Sequence, residues 1–195
     1  MRRFSVVLMS AVVAVVGSPG AESAMAAVKT VKPGVRVTMD HQSLPGRPAF
    51  PKFRFAFNAP RGGLTTTVRT RPSYTTVSFT KSPGACAKPE QANTLFDSTA
   101  VMSDVQGATI DAALDNTKLF GGTSEIARGA GKGDTRWVVH AAKGRGFYVA
   151  VLSASLAIPN ADGTSRYVGL VIDGGPCFPR NEVIKLLRGA SLTPR

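Results

Sequence analysis

Arg136-Trp137-Val138-Val139-His140-Ala141-Ala142-Lys143-Gly144-Arg145-Gly146-Phe147-Tyr148-Val149-Ala150-Val151-Leu152 is the stretch that decides the fold. Two runs rich in β-branched and aromatic residues flank a Lys-Gly-Arg-Gly link whose glycines permit the backbone angles of a tight hairpin. Arg136 to Ala142 and Phe147 to Ile158 therefore read as paired strands. Pro159-Asn160-Ala161-Asp162-Gly163 makes the next turn, and Arg166 to Asp173 returns as a third strand until Gly174-Gly175-Pro176 stops it. The expectation is a three-stranded antiparallel meander. Beyond it, Val183, Ile184, Leu186, Leu187 and Ala190 form an apolar stripe behind Asn181, a suitable N-cap, with Gly189 near the end. That pattern predicts a C-terminal helix packed on the sheet.

Strand patterning continues upstream. In Lys52-Phe53-Arg54-Phe55-Ala56-Phe57 the rings fall on one face and the cations on the other, because successive strand side chains point to opposite sides. Val35, Val37 and Met39 alternate with Arg36, Thr38 and Asp40 in the same way. Leu64 to Arg71 and Tyr74 to Thr80 are rich in Thr and Val, and Arg71-Pro72-Ser73 between them reads as a hairpin turn. Between the two strand-rich halves, Pro89-Glu90-Gln91 opens a segment in which Leu95, Phe96, Met102 and Val105 fall at roughly helical spacing. A second stretch, Ile110 to Phe120, carries Ile110, Ala113, Leu114 and Thr117 before Gly121-Gly122. The expectation there is a central helical segment, with Asp97, Asp104 and Asp111 on its solvated face.

The N-terminus is that of an exported protein. Met1-Arg2-Arg3 precedes the apolar run Phe4 to Val16, Gly17-Ser18-Pro19-Gly20 breaks it, and Ala24-Met25-Ala26 supplies the small-residue pattern of a cleavage site. The run is shorter than the ~20 apolar residues a bilayer-spanning helix needs. The reading is a secretory signal over 1–26 and a single globular domain over 27–195, without a transmembrane segment in the mature chain, periplasmic or secreted. Outside the reducing cytosol, Cys86 and Cys177 are expected to form one disulfide. In the chain-entropy model, closing so long a loop is worth roughly 4 to 5 kcal/mol.

Charge is uneven. The whole chain carries 24 Lys and Arg against 12 Asp and Glu, a formal net charge of +12. Most of the excess lies from Ala27 to Ala87, where Asp40 is the lone acid, whereas 88–125 is acidic. Arg36, Lys52, Arg54, Arg69 and Arg71 on the basic strands are the expected anion- or partner-binding residues, since such a field attracts anions whatever their sequence or structure.

Catalytic signatures are weak by comparison. The chain has two histidines, His41 and His140, and no Gly-x-Ser-x-Gly elbow. Two histidines fall short of the usual zinc ligand set, so neither metal nor cofactor is expected. Gly129-Ala130-Gly131-Lys132-Gly133 places Gly133 where a phosphate loop needs Ser or Thr, and reads instead as a surface loop. Gly121-Gly122-Thr123-Ser124-Glu125-Ile126-Ala127-Arg128 resembles a flavin-side segment of acyl-CoA dehydrogenases. It lacks that family's long helical surroundings, and no family assignment follows.

Taken together, the residues predict an α+β domain: antiparallel sheet, central helical segment, C-terminal helix on the sheet and one disulfide. The leading functional expectation is an exported, small, basic, non-enzymatic binding protein. Its partner would be anionic cell-envelope material or an acidic protein, with no intracellular nucleic acid. Two alternatives stand beside it: a small secreted hydrolase using His140 with Ser153, Ser155 or Asp173, and an extracytoplasmic small-ligand carrier.

Overall fold

The computed structural model describes residues 25–40, 51–61, 63–71, 74–81, 94–97, 101–117, 122–142, 146–174 and 180–195. The first half contributes β1 (Met25–Val31), β2 (Arg36–Asp40), β3 (Phe53–Asn58), β4 (Leu64–Arg71), β5 (Tyr74–Lys81), β6 (Thr94–Asp97) and β7 (Val101–Gly107). The helix α1 (Ile110–Asn116) follows. The second half adds β8 (Gly122–Ala130), β9 (Thr135–Ala142), β10 (Gly146–Ser153), β11 (Ala157–Pro159), β12 (Ser165–Gly174), α2 (Arg180–Arg188) and β13 (Ser191–Pro194).

The described strands form three antiparallel groups: β1-β4-β5-β6, β13-β3-β2, and a six-stranded sheet ordered β11-β12-β10-β9-β8 with β7 also on β12. The described residues are thus mostly antiparallel sheet with two α-helices, the principal sheet curled as a half-barrel. The expected meander forms its centre, with Val149 opposite Val139 on β9 and Ile172 on β12.

Both faces of that centre are covered, which is why its strands read as nearly continuous apolar runs. Trp137, Val139, Val149, Val151, Leu170 and Ile172 point to one side. There they meet Phe53, Phe55 and Phe57 of β3, Leu192 of β13 and Val183, Leu186 and Leu187 of α2. Val138, Tyr148, Ala150, Leu152 and Tyr167 point to the other side, against Val105 and against Ala113 and Leu114 of α1. Each large side chain buried in this way is worth about 1.5 to 3 kcal/mol relative to exposure. The apolar stripe of α2 faces the sheet as predicted. The helix begins at Arg180, so Asn181 lies inside its first turn instead of capping it.

The acidic segment differs from expectation. Leu95 and Phe96 lie in β6, and Met102 and Val105 in β7, so these residues build strands and not a helix. Pairing decides the matter. Val101 and Val105 stand in register with Leu170 and Tyr167 of β12, and that non-local ladder overrides a locally helical spacing. Asp97 and Asp104 are consequently strand residues, and only Asp111 lies on a helix. That helix, α1, is shorter than predicted. Thr109 caps its start by accepting from the Ala112 amide at 3.2 Å, and the Thr117 hydroxyl closes its end by donating to the Leu114 carbonyl at 2.6 Å.

Cys86, Cys177 and the disulfide expected between them lie outside the described residues, as do residues 1–24 and His41. Met25 and Ala26, placed by sequence at the end of the signal, are the first two residues of β1, opposite Thr70 and Arg69.

Candidate binding surface

The residues expected to bind anions are divided between two of the strand groups. Arg36, at the start of β2, reaches across to the end of α2. Its guanidinium donates to the Gly189 carbonyl at 2.7 Å and to the Ser191 hydroxyl at 3.0 Å. The guanidinium therefore closes the C-terminal end of the helix, where cations are favoured, and partial burial lowers its affinity for its proton. Arg54 donates twice to Asp40 across the β2–β3 ladder, at 2.7 and 3.2 Å, and Arg195 reaches the same carboxylate at 2.8 Å. The hydrogen bond from Arg54, with the charges of Arg54 and Arg195, holds the Asp40 carboxyl below the ordinary aspartate range despite some burial. Lys52 is exposed just before β3, and its carbonyl accepts from the Arg195 amide at 3.0 Å. Arg69 and Arg71 belong to β4, in another sheet, opposite Thr76 and Tyr74 of β5.

A groove of about 530 Å³ lies beside α2. The segments leading into β2 and out of β3 form one wall, with Pro33, Gly34, Ala59 and Pro60, and Leu186 of the helix adds a further apolar surface. Backbone hydrogen bonds fix that wall. The Gly34 amide donates to the Ala59 carbonyl at 2.8 Å, and the Ala59 amide to the Val35 carbonyl at 2.9 Å. Gly34 has φ +77°, a left-handed angle that only glycine adopts without cost. The opposite wall is held in place by Arg36 through Gly189, which itself lines the groove.

The groove is polar at its edges. Arg61 and Lys185 both line it, both are exposed, and neither has an ion-pair partner among the described residues. Asn58 and Asn181 add two exposed amides, and Glu182 is the carboxylate among the described lining residues. A smaller depression of about 190 Å³ is lined by the residues just before Pro33, and there Lys29 and Lys32 are exposed and likewise unpaired among the described residues. Of these cations, Lys29, Lys32 and Arg61 belong to the basic stretch from Ala27 to Ala87. Lys185 reads simply as the polar side of an amphipathic helix, and nothing local places it opposite Arg61.

His140 lies deep in the fold, fully buried on β9 and stacked on Tyr148 with ring centroids 6.1 Å apart. Its Nε2 is 2.9 Å from the Thr117 hydroxyl. That hydroxyl has one hydrogen and donates it to Leu114, so His140 Nε2 carries a hydrogen and is the donor to Thr117. Ser153 is at the opposite end of the ladder. His140 is in register with Tyr148, whereas Ser153 is in register with Thr135, a separation of about 17 Å along the strand.

Ser153 is engaged elsewhere as well. It donates to Asp134 Oδ1 at 2.9 Å and lies 2.8 Å from the Ser155 hydroxyl, while the Ser155 amide donates to Asp134 Oδ2 at 2.6 Å. Burial pushes the Asp134 carboxyl up, but the hydrogen bonds from Ser155 and Ser153 outweigh it and keep the group below its ordinary value. This cluster caps the short 3-10 turn Ala154–Leu156 between β10 and β11. Asp173 is two strands from His140, in register with the intervening Tyr148. The Ser-His pairs that sequence reasoning considered are therefore not assembled.

Among the described residues, no group of three or more His, Cys, Asp or Glu side chains could hold a metal ion. Nor is any described helix long and apolar enough to cross a membrane. No protein-family model, curated protein or solved structure matches this chain.

Proposed function

We propose that this chain is a non-enzymatic binding module that acts outside the cytosol on an anionic partner, through the cationic edge of the groove beside α2. The observation that carries the reading is how the cations divide. Arg36, Arg54 and Arg128 are engaged by the fold: Arg36 at the end of α2, Arg54 on Asp40, and Arg128 on Glu125 and Asp115. Lys29, Lys32, Arg61 and Lys185 have no such engagement among the described residues and line the groove or the neighbouring depression, while Lys52, Lys132, Arg180 and Arg188 are exposed and equally unengaged among the described residues without lining either. A charged surface bordering a concavity concentrates anions there and guides their approach. The secretory signal expected over 1–26 supports a partner in the cell envelope or beyond it.

The experiment is retention of the purified protein on an anionic envelope fraction across a salt gradient. Binding should weaken steadily with added salt, because exposed charges are screened over about 8 Å at physiological ionic strength. Replacing Lys29, Lys32, Arg61 and Lys185 together by alanine should remove most of the salt dependence, whereas Arg54→Ala should change it little. Retention indifferent to salt, or equal in the fourfold variant, would rule the reading out.

A further inference from the structure

We infer that the groove beside α2 takes an acidic sugar unit, a hydroxyl-bearing ring carrying a carboxylate, as the repeating element of an anionic glycan. This rests on the reading above that the chain binds anionic material, and it names the chemistry of that material. Charge complementarity gives the sign of the ligand, since Arg61 and Lys185 line the groove with one carboxylate, Glu182.

The amides narrow the class further. The side-chain amides of Asn58 and Asn181 are exposed in the groove and have no hydrogen-bond partner among the described residues. Each offers two donors and an acceptor. Phosphates and the side chains of an acidic peptide would use the donors alone, whereas sugar hydroxyls both donate and accept and use the whole amide. The faces of Pro33, Pro60 and Leu186 give the C–H side of a sugar ring an apolar surface to rest on. At about 530 Å³ the groove is of small-ligand size, enough for a few atoms of charge recognition beside a ring.

The test is calorimetric titration of the full-length protein with a tetramer of galacturonic acid, the matching neutral galactose tetramer, inorganic phosphate and a glutamate-rich peptide. The acidic tetramer should bind best. Asn58→Ala and Asn181→Ala, both at exposed positions, should each weaken it by about tenfold and weaken phosphate and peptide several-fold less, since those use only the amide donors. Arg61→Ala and Lys185→Ala should weaken every anion. If peptide or phosphate bound as tightly as the acidic tetramer and the asparagine variants had no effect, the sugar inference would be overturned and the anion-binding function would survive. Equal binding of the neutral tetramer would overturn the acidic part. Absence of binding by any anion would overturn both.

Discussion

The guanidinium of Arg36 donates to the carbonyl of Gly189, 153 residues further along the chain, at 2.7 Å. This contact joins β2 to the last turn of α2 and sets the separation of the two groove walls. Arg36→Ala should lower stability by about 2 kcal/mol, because it removes charge-assisted hydrogen bonds to Gly189 and Ser191. Arg36→Lys should recover only part of that, since an ammonium lacks the planar fork that reaches both acceptors. Urea unfolding of the two variants measures the difference; equal midpoints for Arg36→Ala and the parent would remove the contact from any account of stability.

Gly169 of β12 has no room for a side chain. A Cβ there would lie 2.4 Å from the Val151 carbonyl oxygen and 2.4 Å from Leu152 Cδ2, and the first of these belongs to paired backbone that has nowhere to move. Gly169→Ala should therefore cost roughly 2 to 3 kcal/mol by overpacking. Thermal unfolding followed by circular dichroism gives the answer, and a variant as stable as the parent would show that β10 and β12 can spread at this point.

Thr117 relays between α1 and β9, donating to Leu114 and accepting from His140. Thr117→Val keeps the shape and removes both bonds. A loss of about 1 to 3 kcal/mol is expected, with the sheet otherwise intact. The imidazole resonances of His140, followed by nuclear magnetic resonance, should shift in this variant; an unchanged Nε2–H signal would contradict the assigned donor.

Acid should destabilise the fold through Asp40 and Asp134, both of which hold their carboxyls below the ordinary aspartate value of 3.8. The folded state thus binds the proton less readily than the unfolded chain. Their stabilisation is complete above 3.8 and is lost as pH falls below it through the lower folded values. The urea midpoint should accordingly depend little on these groups from about pH 7 to about pH 4 and fall beneath that. Combining Asp40→Asn with Asp134→Asn should flatten the acid limb, and an unchanged limb would assign acid sensitivity to other groups.

Much of the sheet was legible because its signals are local. The phenylalanines of β3 alternate with Lys52 and Arg54, and the Thr-rich β4 and β5 pair antiparallel as their composition suggested. β6 and β7 were misread as helix, since a few apolar residues at short range fit either period until β12 supplies a partner. β8 was hidden by its glycines, which looked like loop. Gly129 in fact stands where a Cβ would meet the Trp137 ring at 2.5 Å, and Gly131 where one would meet the Ala190 carbonyl at 2.5 Å, so both serve close packing. β13 ends in Pro194 and has too few residues to show a period.

Composition and residue pattern by themselves determined that this chain is strongly basic, that Phe147 to Leu152 forms a strand apolar on both sides, and that the last helix turns Val183, Leu186 and Leu187 inward. Those properties follow from side-chain chemistry and from periods of a few residues. Which cations remain available to a partner was decided only by the tertiary structure. Arg36 and Arg54 looked like an open basic face, yet Gly189, Ser191 and Asp40 take up their hydrogen bonds, while Arg61 and Lys185 come to share one groove. The physical reason is that a guanidinium is defined by the acceptors within its reach, and in this fold those acceptors arrive from the far end of the chain.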